Sequence, residues 1–186
     1  MTDFNLYDET NAPEAARPVL ATAKSAFGFV PNLLGTLSES PAAAEAYLTL
    51  AGIVDKTSLS PAERQIVLLS VSYENTCHYC MAAHSVSAEM QKVPQDVVDA
   101  IRNDDSIANV KLEALRKFTI QVVDKRGWVS HEDIQAFVDV GYTSQQILEV
   151  ILGVSFKMLS NYVNHITDTP LDAAFAKKEW VSPASK

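Results

Sequence analysis

A chain of 186 residues with 47% hydrophobic and 20% charged side chains can bury a sizeable core and is too apolar to be disordered. Its 23 acidic against 15 basic residues leave a net charge of −8, which argues against partners that attract basic patches, nucleic acid and anionic membranes. The opening stretch is polar and acidic rather than a basic-then-apolar leader, and the most apolar segment, Ile147 to Leu159, carries Glu149 and Lys157. The expectation is therefore a cytosolic protein with no membrane span.

Helical spacing recurs throughout and period-2 alternation does not, so the expected fold class is all-α, with residues 1–186 forming one domain and short polar tails at both ends. In chain order, Ala12-Pro13-Glu14 opens a first helix that Gly28 ends. Val30-Pro31-Asn32 opens a short one ending near Gly35, and Ser40-Pro41 starts a third through Tyr47 and Ile53. Ser60-Pro61-Ala62-Glu63 combines a serine cap, a proline at the first helical position and a capping-box glutamate. The helix behind it, with Ile66, Val67, Leu68, Leu69 and Val71, is apolar on most sides and is expected to be buried. Asn75-Thr76 interrupts it and is read as the cap of the next helix. Later helices are expected over Pro94–Arg102, Val110–Lys125, Ser130–Val140 and Ser144–His165. The all-round apolar character of Ile147–Leu159 calls for cover on every side, which an oligomer interface supplies more easily than a lone domain.

A short internal echo pairs Leu68-Leu-Ser-Val-Ser-Tyr73 with Ile151-Leu-Gly-Val-Ser-Phe156. In that register Cys77 falls opposite Ser160 and Cys80 opposite Val163. An ancestral duplication and a chance match between two buried helices explain it equally well.

Cys77 and Cys80 are the two cysteines of the chain, three residues apart, with His84 four beyond the second. On a helix, Cys77 and Cys80 are near neighbours and His84 shares a face with Cys80. A nucleophilic thiol must ionise well below its ordinary value of about 8.5, and a helix amino end or a neighbouring imidazole brings that about. Three readings stand side by side: a redox dithiol, a metal site using two thiolates and an imidazole, and two inert cysteines packed as small hydrophobes. No second cysteine pair is present, and His78, His131 and His165 lack ligand spacing, so no metal and no cofactor is expected. Covalent haem attachment is excluded, since Met81 stands where that motif needs histidine. Helix-end position favours Cys77 as the more acidic thiol, and His84 favours Cys80.

Cys77-His-Tyr-Cys80-x-x-x-His84 resembles the core motif of the alkylhydroperoxidase D-like and carboxymuconolactone decarboxylase-like superfamily. Phe27-Gly-Phe-Val-Pro-Asn-Leu-Leu34, Leu59-Ser-Pro-Ala-Glu-Arg64, Asn161-Tyr-Val-Asn-His165 and Thr169-Pro-Leu-Asp172 extend the likeness over about residues 25 to 175. The resemblance implies a compact all-α domain assembling as a trimer or hexamer. It also implies an enzyme of peroxiredoxin-like chemistry that reduces alkyl hydroperoxides at the expense of a thiol or dithiol reductant. In that cycle Cys80 attacks peroxide and becomes a sulfenic acid, Cys77 resolves it to a disulfide, and His84 belongs to the proton relay. Tyr79 falls where some relatives carry a further relay histidine, so its phenol is a candidate hydrogen-bond donor. The decarboxylases of the superfamily generally do without a cysteine pair and are the weaker guide. The alternative within the same resemblance is a redox sensor whose dithiol is oxidised without rapid turnover.

One departure stands out. The peroxidase relatives place a glutamate twelve residues before the first cysteine, and that position is Gln65, which accepts a hydrogen bond but no proton. Glu63 is off register and belongs to its capping box, which leaves Glu74, three residues before Cys77, as the candidate substitute carboxylate. Lys157, Asn161, Asn164 and His165 read as a polar lining of the active-site cavity, as a subunit contact or, the reading preferred, as a lysine snorkelling out of an apolar helix and satisfied helix-end polar groups. His78 and His131 are expected at the surface, and Trp128 and Trp180 in packing or contact roles.

Overall fold

The structure, a computed structural model, describes residues 4–183. Residues 1–3 and 184–186, parts of the expected polar tails, lie outside the described residues. Within them the chain is all-α with no strand. A 3-10 turn at Glu14–Ala16 leads into α1 (Arg17–Phe27), which Gly28 ends at φ 80°, a left-handed conformation natural to glycine. Then follow α2 (Asn32–Leu37), α3 (Pro41–Val54), α4 (Pro61–Glu74), α5 (His78–Met90), α6 (Gln95–Asn103), α7 (Val110–Asp124), α8 (His131–Asp139) and α9 (Ser144–Thr167). A second 3-10 segment, Ala173–Lys178, closes the order. No described helix is long and apolar enough to cross a membrane.

Side-chain caps set the starts of these helices. Ser60 with Glu63, Ser130 with Asp133 and Thr143 with Gln146 form complete capping boxes, and Ser40 and Asn109 accept from the first turns of α3 and α7. Each cap contributes about 1 kcal/mol. Gly35 does not end α2 as its spelling suggests but lies inside it, because an added Cβ there would stand 2.5 Å from the Tyr7 carbonyl oxygen. The close approach lets Tyr7 N–H donate to Gly35 O, so the N-terminal arm lies against α2.

The central element is α4, buried from Gln65 to Ser72 and packed against α5, α6, α7 and α9. On one side of it Ile66, Leu69, Leu115, Phe118 and Val150 form the larger core, with the Phe118, Phe137 and Tyr142 rings stacked at 4.3 and 4.4 Å. On the other, Leu20, Leu33, Leu34, Leu37 and Ala44 pack around Cys77, Tyr79 and Cys80. Each large apolar side chain so buried contributes roughly 1.5–3 kcal/mol.

On α9 the expected distribution is reversed in part. Leu148, Ile151, Tyr162 and Ile166 remain exposed in the isolated chain, whereas Lys157 is 0% exposed. The lysine does not snorkel. It points inward, because the inner face of α9 is turned toward α4 and α5, where it finds a polar partner.

Candidate functional site

The junction of α4 and α5 positions the thiols. Thr76 N–H donates to Tyr73 O and Cys77 N–H donates to Ser72 O, the paired bonds of a Schellman motif, with Thr76 at the left-handed position (φ 54°). Asn75 is thus the C-cap of α4 rather than the cap of α5, and Cys77 itself is the N-cap of α5 (φ −87°, ψ 95°). With Cys77 instead of Asn75 as the cap, each cysteine stands two places nearer the helix start than that reading puts it. Cys77 sits outside the helix proper, and Cys80 occupies the third position of its first turn, where unpaired N–H groups favour negative charge. N-cap and third residue face each other across that turn, as in a capping box, so the two sulfurs are neighbours.

Both thiols are free and 1% exposed. A hydrogen bond to Cys80 and burial push the Cys77 thiol far up. Burial acts against ionising Cys80 as well, but the bond from Cys77, the charge and hydrogen bond of Lys157, and Ser160 together pull it well below the ordinary thiol range. The two thiols are thus pushed in opposite directions, Cys80 toward the ionised form and Cys77 toward the protonated one. Asn164 Nδ2 lies 3.3 Å from Cys80 Sγ and 3.7 Å from Cys77 Sγ, and Ser160 Oγ lies 3.7 Å from Cys80 Sγ. The Tyr47 phenol of α3 is pushed up by burial and by both cysteines beside it.

His84 does not bond to either sulfur. Its Nδ1 meets Gln65 Oε1 at 3.1 Å and its Nε2 meets Lys157 Nζ at 3.0 Å. Burial, and then the Lys157 charge, hold the imidazole neutral, well below the usual histidine value. With both ring nitrogens so engaged, His84 is not free to join the thiols around a metal, and no group of three candidate ligands comes together among the described residues.

The remaining candidates lie apart. The Tyr79 hydroxyl donates to Asp172 and accepts from Leu33 N–H, so its phenol is tied to α2 and the C-terminal segment rather than to the thiols. The same Asp172 carboxylate accepts from Asn32 N–H at 3.1 Å, and burial raises its pKa. Glu74 faces acidic neighbours: burial, Asp124 and Asp104 raise its carboxyl, and it makes no hydrogen bond to the dithiol or His84 among the described residues. Asn75 bonds Asn161 across the α4–α9 contact. His78 is exposed with Nδ1 2.9 Å from Trp180 O, and His131, His165 and Trp128 are at the surface. Trp180 is buried against Tyr73.

Sequence reasoning left out Tyr47 and Ser160 as site residues, and ranked the cavity-lining reading of Lys157 and Asn164 second. The available signal was spacing: 157, 160 and 164 put three polar residues on one face of an otherwise apolar helix. Next to this cluster a cavity of about 380 Å³ opens between α1, α3, α5 and the C-terminal segment. Phe27, Phe29, Leu33, Leu68, Phe156 and Phe175 give it apolar walls, and Gln65, His84 and Tyr47 form polar points on its surface.

Residues 41–118, from α3 into α7, match the family model of the carboxymuconolactone decarboxylase family. No curated protein matches the chain significantly in sequence. Among solved structures, an uncharacterized peroxidase-related protein with an alkylhydroperoxidase AhpD core from Ralstonia eutropha JMP134 is similar, with a TM-score of 0.82 at 20% identity over 92% of this chain and 93% of that one. An uncharacterized peroxidase-related protein from Silicibacter sp. TM1040 gives 0.80 at 17% identity, covering 94% of this chain and 92% of its own. The debrominase Bmp8, as a cysteine-to-alanine variant in complex with 2,3,4-tribromopyrrole, gives 0.80 at 19% identity over 96% of both chains. The segment around the cysteine motif thus resembles the carboxymuconolactone decarboxylase family, and the all-α fold is shared with alkylhydroperoxidase-core and peroxidase-related proteins over nearly the whole chain.

Proposed function

We propose that the protein is a thiol-dependent peroxidase that reduces apolar organic hydroperoxides with the Cys77–Cys80 pair. The observation that carries this reading is the asymmetric dithiol, Cys80 drawn toward the thiolate and Cys77 toward the thiol, next to an apolar cavity. Cys80 sulfur attacks the terminal oxygen of ROOH, the O–O bond breaks, and the alkoxide leaves as ROH once protonated. Cys77 then attacks the sulfenic sulfur, water departs, and a disulfide forms. A thiol or dithiol reductant supplies two electrons and two protons to restore the pair. The apolar walls suit an organic substrate better than hydrogen peroxide, which gains nothing from them. The same reading includes a cytosolic location and a homo-oligomer, trimer or hexamer, which would cover the exposed face of α9.

The test is a thiol count after stoichiometric cumene hydroperoxide, repeated with a recycling dithiol. Two thiols lost per peroxide, with repeated turnover, is the expected result. Cys80→Ser should abolish consumption, by about 10³-fold or more, and unchanged consumption in that variant overturns the reading. A single slow oxidation without turnover would make the protein a redox sensor. A second reading follows from the fold shared with a debrominase and from the aromatic lining of the cavity. A brominated aromatic ring would lose bromide and gain hydrogen while the two thiols become a disulfide, and bromide release from such a probe decides for it.

A further inference from the structure

We propose that Lys157 is a catalytic residue: its ammonium is the counter-ion of the Cys80 thiolate and the proton donor to the leaving group, and His84 is the neutral acceptor that positions it. The proton-donor half rests on the peroxidase reading above, and the counter-ion half does not.

Three observations carry the assignment. Lys157 is 0% exposed and forms no ion pair with a carboxylate among the described residues. A buried ammonium without an anion costs several kcal/mol, and its hydrogen-bond partner, His84 Nε2 at 3.0 Å, is a neutral acceptor. The group beside it that can supply negative charge is the dithiol. Second, the register of α9 places Lys157 one turn before Ser160 and two before Asn164, both of which contact Cys80 Sγ, so Nζ shares their face. Third, Gln65 fixes the tautomer. Its Oε1 accepts from His84 Nδ1–H, which leaves Nε2 as a lone pair directed at the ammonium. A glutamate at 65 could share a proton with the imidazole, but glutamine cannot. With the Lys157 ammonium 3.0 Å from Nε2, His84 stays neutral, and its one proton is held on Nδ1 by Gln65 and is not acidic.

The protons then balance through one nitrogen. As the O–O bond breaks, Lys157 Nζ gives a proton to RO⁻, producing ROH, the Cys80 sulfenic acid and a neutral amine. That amine takes the proton of the Cys77 thiol. The Cys77 thiolate attacks the sulfenic sulfur, and the departing hydroxide takes the proton back as water. Reduction of the disulfide by a dithiol returns two protons, one to Cys77 and one to Lys157.

Lys157→Met, which replaces a buried charge by an apolar chain of similar length, is the deciding variant, with Lys157→Arg as its charge-retaining control. Iodoacetamide alkylation of Cys80 is followed against pH; the titratable groups acting on that sulfur are Cys77 of α5, Tyr47 of α3 and Lys157 itself, with His84 behind the lysine. The alkylation midpoint of Lys157→Met should rise by about one pH unit or more, and Lys157→Arg should restore part of it. Single-turnover oxidation should fall about 10²-fold, more for tert-butyl hydroperoxide than for a peracid, whose leaving group needs no proton. His84→Gln, which keeps an acceptor for Nζ, should lose much less. A midpoint that stays in place in Lys157→Met overturns the counter-ion role. Equal losses for the two peroxides, or a His84→Gln loss as large as that of Lys157→Met, overturn the donor role. If the wild type consumes neither hydroperoxide while the midpoint still shifts, the peroxidase reading falls and the counter-ion stands.

Discussion

Helix α5 brings its two sulfurs to the site within a single turn, at Cys77 and Cys80, whereas α9 brings Lys157, Ser160 and Asn164 over two turns of one face. The first contribution is local: a Schellman turn places the thiols, and four residues span both of them. The second is non-local, since about eighty residues separate Cys80 from Ser160 and Asn164. Reactive atoms can thus be written into a short motif, while the groups that set their charge come from a distant helix that must pack at the right height. The internal echo pairs α4 with α9 in this respect too. They pack directly, yet α4 stops at Glu74 to start a thiol helix and α9 runs on unbroken to Thr167.

The largest test of this division is to shift one helix against the other. A Cβ at Gly153 of α9 would stand 2.7 Å from Val67 Cγ1 of α4, and valine is stiff at χ1. Gly153→Ala should cost about 1–3 kcal/mol in urea unfolding and loosen the Lys157–His84 contact. Unchanged stability would mean that α9 is not held at a fixed height. A smaller effect is expected from Asn164→Ala, which strips the amide from both sulfurs. Hydrogen bonds to charged groups contribute about 1.5–3 kcal/mol, so alkylation of Cys80 near neutral pH should slow about tenfold or more.

The smallest expected effect is a slope of stability with pH. Cys80 is held ionised below its unfolded value of about 8.5, so the unfolded chain binds more protons as pH falls through that value, and stability declines. His84, held neutral, adds a decline in the same direction below about 6.5. Each contributes at most about 1.4 kcal/mol per pH unit. Oxidising the pair to a disulfide removes the first contribution and keeps the second. Urea midpoints of the oxidised form should therefore vary less than those of the reduced form between about pH 6.5 and 8.5. Equal slopes in both forms would show that Cys80 is not the ionised partner.

Most helix starts were legible because side chains write them: Ser60 with Glu63 and Thr143 with Ser144 announce α4 and α9 before any packing is known. The α4–α5 junction was misplaced by one cap. Asn75 is a good N-cap by type, but Thr76 takes a left-handed φ usually left to glycine, and that turns Asn75 into an ending. Lys157 was misjudged for a different reason. A lysine in an apolar helix is normally a surface residue, and its burial depends on Gln65 and His84, which sequence distance hides. Glu74, the candidate substitute carboxylate, is half-buried, and burial with the charges of Asp124 and Asp104 raises its carboxyl, while no hydrogen bond links it to the dithiol among the described residues.

Asp172 bonds Asn32 N–H across 140 residues and the Tyr79 hydroxyl across 93. Contacts between such distant residues hold the N-terminal and C-terminal parts of the chain together around α5. Phe29 and Phe175, two aromatic walls of the cavity, meet at 5.9 Å on this clasp. The C-terminal segment is therefore a wall of the cavity as well as a tail, and removing it would open the space between α1, α3 and α5 to solvent.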